Sequence, residues 1–264
     1  MGGVRDLAQD SLIESTMATL RIGTADLPQG IDREQYFREL SYLELSALFA
    51  GPLRANILAK WAQSTPAGGS GLIAPFVLTH RQPPKSPQLW AHDINVGDFR
   101  DSGLGRIALG QLKEAIGKLG AAFAIFRSPP LFAPSAANRD QLKLFFGEIA
   151  TAEAVGATRV WVPDGLWEPR AAVGFATELG IVCAVDPLVR EPGQPLELFM
   201  ELGAPQLYFR IANLGQTGTL RSEKQEDLAA LTEHYEDLPL TIVFESPSRW
   251  QDARNLKKLL EEEA

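Results

Sequence analysis

Cysteine and histidine are scarce in this chain. Its 264 residues include one cysteine, Cys183, and three histidines. A lone cysteine excludes an internal disulfide and any cysteine-rich metal site. Cys183 sits in an apolar run, 181–185, and reads as an inert core thiol. His80, His92 and His234 are too scattered for a sequence-local metal motif. His80 and His92 flank a loop that also carries Asp93, Asp98 and Asp101, and that loop reads as solvated acids rather than a ligand set. No metal site is assigned, and nothing designates a cofactor.

Positive charge is also short. Lys and Arg total 25 against 33 Asp and Glu, a formal net charge of -8. A phosphate-backbone partner needs a basic face, so nucleic acid is excluded as the expected partner. No stretch reaches the roughly 18 apolar residues of a membrane-spanning helix. The first 18 residues carry acids where a signal peptide needs an apolar block, so they read as a loosely docked leader and a cytoplasmic location is expected. Phosphate-loop, zinc-protease and nucleophile-elbow signatures are absent as well.

What is present is alternation. Apolar runs of strand length occur at 20–24, 42–49, 71–79, 121–126, 158–162, 181–185, 206–211 and 240–244. Helical patterns follow them at 32–40, 52–63, 105–120, 135–155, 169–180, 195–203, 222–236 and 249–263. Such an α/β order fits a doubly wound open sheet or a (β/α)8 TIM barrel. The count of eight favours the barrel, which typically takes about 250 residues. So does the lack of a glycine-rich phosphate turn after the first strand. Residues 19–264 are therefore expected to form one barrel domain. Pro75 inside the third run predicts a bulge or interruption.

Working residues of a barrel lie at the C-terminal ends of its strands. Strand alternation picks among them. In the second run Leu43, Leu45 and Ala47 share one face, so Glu44 points into the barrel with Tyr42 and Ser46. In the seventh, Leu207, Phe209 and Ile211 point outward, and Tyr208 and Arg210 inward. Asp186 is in phase with Val182 and Ala184, and Asp164 with Val160 and Val162. Tyr208 and Trp161 are read as aromatic walls. A buried carboxylate and guanidinium are expected to pair, since either alone costs several kcal/mol. Glu44 and Asp186 are the acid/base candidates. Arg210, Tyr208, Arg127, Asp164, Thr24 and Glu245 are the candidate ligand-binding residues. Asp164 has a competing reading as a helix-capping residue.

The segments RIGTADL, LELSALF, KWAQSTPAG and FVLTH, in this order and spacing, resemble the YecE-like proteins, the domain-of-unknown-function family seventy-two. That resemblance implies a (β/α)8 barrel. Ile22, Gly23, Thr24, Glu44, Phe49, Trp61, Pro66, Pro129, Pro130, Asp186 and Arg210 match the family pattern. Other positions depart from it. The family's Glu-Phe-Arg-His-Pro-Ser-Trp keeps only its last residue, as Trp167. Ala212 and Asn213 replace a His-Gly, Glu245 and Ser246 replace an Asn pair, and Arg127 replaces a Gln. Two readings follow. One is a barrel that binds or turns over a small polar or anionic ligand by carboxylate acid/base chemistry of hydrolase or isomerase class. The other is a degenerate barrel that binds or scaffolds. The sequence sets no oligomeric state.

Overall fold

In the computed structural model, which describes residues 19–86, 89–91, 93–163, 167–190, 194–213 and 218–263, eight parallel strands close on themselves. They are β1 Leu20–Ala25, β2 Tyr42–Leu45, β3 Ser70–Ile73, β4 Phe123–Arg127, β5 Thr158–Val162, β6 Val182–Val185, β7 Leu207–Ile211 and β8 Leu240–Phe244. Each pairs with the next, and β1 pairs with β8 from Leu20↔Leu240 to Thr24↔Phe244. The expected TIM barrel is the fold.

The helical layer contains α1 Arg33–Glu39, α2 Ala55–Ser64, α3 Phe76–Thr79, α4 Gly103–Leu119, α5 Ala136–Leu144 and α6 Ala152–Val155. It continues with α7 Pro169–Glu178, α8 Ser222–His234 and α9 Arg249–Glu263. Local chemistry starts and stops several of these. Asp32, Ser102 and Ser135 cap α1, α4 and α5 by accepting from backbone N–H groups three residues on. Gly120 ends α4 in the left-handed conformation that glycine adopts freely. The pattern at 135–155 is not one helix: a π-helical turn, Phe145–Ile149, separates α5 from α6. The segment expected as a helix at 195–203 is a 3-10 turn, Leu196–Phe199.

Two strands are shorter than the apolar runs suggest. β2 ends at Leu45 because Asp26 takes the next backbone group: Ser46 donates its N–H to Asp26 Oδ1 at 2.8 Å and its hydroxyl to Oδ2 at 2.5 Å. β3 ends at Ile73, and Pro75, which has no N–H to give a ladder, sits at the N-cap of α3. Four residues read as strand, Phe76 to Thr79, are helix.

Strand parity divides the core in two. Outward side chains such as Leu43, Leu72, Phe126 and Phe209 pack beneath the helices. Inward ones, including Tyr42, Phe123, Ile125, Val160 and Tyr208, fill the barrel. Two glycines make room there. A Cβ on Gly23 would lie 1.7 Å from the Tyr42 carbonyl oxygen, and one on Gly71 would lie 2.0 Å from the Tyr42 hydroxyl. Trp161 is in the outer core, at 4.7 Å between ring centroids from Trp167. Its expected place as an inner wall is wrong by one residue of parity: Val160 and Val162 are the inward neighbours.

Candidate active site at the barrel mouth

From floor to mouth the interior passes from apolar to charged. Near the floor the Arg21 guanidinium lies 5.6 Å from the Phe123 ring centroid and donates to the Gly68 carbonyl. Above it Tyr42, Phe123 and Tyr208 meet edge to face. The two tyrosine hydroxyls are 3.1 Å apart, and Tyr208 donates to Glu44 Oε2 at 3.0 Å. Burial raises the pKa of both phenols well above the usual value, and the nearby Glu44 charge adds to that.

Glu44 is fully buried and so needs a cation. Arg210 supplies it, with Nη2 3.1 Å from Oε1 and Nε 3.2 Å from each oxygen. Arg210 also donates through Nη1 to Glu245. Burial alone would lower the Arg210 pKa, but the two carboxylates outweigh it and hold the group above its usual value. Arg127, on the other side of Glu245, comes to 4.0 Å. The inward placement of Glu44, Tyr208 and Arg210 thus follows the alternation, with one shift of role. Glu44 and Tyr208 lie under the cavity, while Arg210 spans from them to its wall.

The cavity itself has a volume of about 380 Å³. Arg127, Arg210, Glu245 and Asp186 contribute its charged walls, with His80 and Ser128 beside them. Glu245 pairs with arginines, whereas among the described residues none is paired with Asp186. Its Oδ2 accepts the Ala212 N–H at 2.8 Å and its Oδ1 the Leu188 N–H at 3.0 Å. Burial raises its pKa, and those two N–H groups only partly oppose the rise. A carboxyl in such a state can hold or release a proton nearer neutrality than an exposed one. Among the described residues no group of three His, Cys, Asp or Glu side chains is placed to hold a metal ion.

The other candidates fall elsewhere. Thr24 is in phase with outward Ile22, and its hydroxyl meets Tyr36 Oη at 2.9 Å and donates to the Asp26 carbonyl. Asp164 lies outside the described residues. The capping role read for it is held by Glu168, whose carboxylate accepts from Arg170 and Ala171 N–H at the start of α7. His80, which flanks the long loop directly after the third apolar run and was not among the candidate site residues, is a cavity wall. Ser128, directly after Arg127 in the RSPP turn, is another wall; its Oγ accepts the Trp161 indole N–H at 2.9 Å.

No protein-family model and no curated protein matches the chain. Solved structures do. A DUF72 family protein from Enterococcus faecalis has a TM-score of 0.63 at 12% identity over 92% of this chain and 96% of its own. A second, from Thermotoga maritima, has a TM-score of 0.63 at 16% identity over 92% and 99%. Both bear the name of the family that the sequence segments resemble. A D-allulose 3-epimerase from Methylomonas has a TM-score of 0.56 at 15% identity over 92% and 96%. At these identities the likeness is one of fold.

Proposed function

We propose that this barrel binds a small, uncharged, polyhydroxylated ligand at its mouth, with Asp186 as the proton-moving group and Glu245 as its partner. The observation that carries this reading is Asp186 itself. It is an acid with a raised pKa, placed in a cavity of about 380 Å³ with a second carboxylate and two arginines. Three acids, Glu44, Asp186 and Glu245, meet two arginines, Arg127 and Arg210. Arg210 is saturated by carboxylates, so the balance favours a neutral polar ligand over an anion. Guanidinium and carboxylate edges suit vicinal hydroxyls, which both donate and accept. Two carboxyls in one cavity suit proton removal and return of isomerase or hydrolase type. A fold neighbour is named as a D-allulose 3-epimerase, which supports sugar chemistry by analogy of fold alone.

The test is a titration of the full chain with D-allulose, D-fructose, D-glucose and xylitol, followed by saturation-transfer NMR and calorimetry. The reading expects saturable binding of at least one, weakened about tenfold or more in Asp186→Asn. Incubation in deuterium oxide should place solvent deuterium in the bound sugar, and the variant should not. Binding without deuterium uptake would remove the isomerase form of the chemistry and leave the pocket. No saturable binding by any of the four would overturn the proposal.

A further inference from the structure

A second cleft adjoins the mouth cavity. It shares His80 and Pro130 with that cavity and has a volume of about 570 Å³. One wall is apolar and comes from the turn after β4, with Pro129, Pro130, Leu131 and Phe132. The other is polar, with the exposed amide of Gln82 beside the Arg81–Asp98 ion pair.

Both walls are held firmly from below. Phe132 is buried against Phe99 at 5.2 Å between centroids, and its carbonyl accepts the Trp167 indole N–H at 2.6 Å. Gln141 donates to the Phe99 carbonyl at 2.8 Å. Two residues that line this cleft, Asp98 and Leu131, adopt left-handed backbone at φ 52 and 66, as does the buried Phe99 beside Asp98 at φ 58. Such conformations are uncommon for large side chains and persist where surrounding structure enforces them, often at ligand-contacting loops. Leu131 is also 89% exposed, so the strained backbone presents an apolar side chain to the cleft rather than burying it.

We infer that this outer cleft is a second subsite, which takes a planar aromatic or heteroaromatic ring carried by the ligand whose polar part sits in the mouth. The link to a polar part rests on the reading of the mouth given above; the ring site does not. Prolines and Leu131 offer a flat apolar face, and Gln82 offers a donor and an acceptor to the edge of the ring. The shared residues His80 and Pro130 place the two spaces side by side, and the inferred ligand spans that shared edge.

Indole is the probe. The full chain, labelled with nitrogen-15 and with carbon-13 in its leucine methyls, is titrated with it. Saturable shifts are expected at the Leu131 methyls and the Gln82 and Asn138 side-chain amides. Leu131→Asp should weaken indole binding about tenfold or more, and Ile107→Asp, an exposed position on α4 outside both clefts, should leave it unchanged. No saturable shift at these groups, or equal indole affinity in Leu131→Asp, overturns the subsite. Indole binding together with failure of all four sugars would retain the ring site and remove the mouth reading. Sugar binding without indole binding would do the reverse.

Discussion

Asp186 and Glu44 are both inward acids, yet their surroundings set them apart. Glu44 is matched by Arg210 and Tyr208, while among the described residues Asp186 is bonded by two backbone N–H groups, with the Lys224 and Glu245 charges acting on it in opposite directions. The consequence for pH is specific. Burial raises the folded pKa of Asp186 above its usual 3.8, so the folded state holds this proton more tightly than the unfolded state. Stability contributed by the neutral form is therefore full below pH 3.8 and is lost as pH rises through the higher folded value. Asn carries no such charge. Asp186→Asn should gain stability relative to wild type between pH 3 and pH 7, as read by urea unfolding at each pH. A difference that stays flat, or that moves the other way, would show that Asp186 is not held above its usual pKa.

At the scale of elements, hydroxyls and carboxylates tie neighbouring segments together at a few points. Tyr36 on α1 accepts the Thr24 N–H at 2.8 Å and donates to the Tyr42 carbonyl at 2.6 Å, joining α1 to β1 and β2. Tyr36→Phe leaves both groups buried without that partner, and should cost about 2 kcal/mol in denaturant unfolding. Asp252 on α9 accepts from Leu220 N at 2.8 Å and from Ser246 Oγ at 3.0 Å, so it pins the segments after β7 and β8. Asp252→Ala should cost about 3 kcal/mol by the same measurement, since both bonds are to a buried carboxylate.

These ties also explain what the sequence could and could not disclose. Inward parity in β2 and β7 was legible because apolar alternation is local, and it placed Glu44, Tyr208 and Arg210 correctly. The end of β2 was not, because Asp26, twenty residues away, removes Ser46 from the ladder. Thr24 and Trp161 were misplaced because a position near a strand end was weighted above the phase of the strand. Ile22 and Thr24 face α1, and Trp161 faces α7. The cap of α7 came from Glu168, four residues beyond the acid that looked suited to it.

At the scale of the molecule, the barrel is closed by a ladder around its rim and by charge across its middle. Glu44 on β2 and Arg210 on β7 are 166 residues apart in sequence and meet in the interior. Through Arg210 the buried pair also fixes Glu245, which borders the cavity. On the proposed reading the labour is divided: Glu44 and Arg210 hold the barrel and aim its mouth, and Asp186 and Glu245 border the cavity proposed to take the ligand. Glu44→Gln keeps the shape and removes the charge, leaving Arg210 with Glu245 alone. Its unfolding free energy against that of wild type tests this division most directly. This division of labour predicts a loss of about 3 kcal/mol, the lower end for breaking a buried ion pair. An unchanged or higher stability would mean that Glu44 is held at a cost to the fold, as working acids are, and would contradict it.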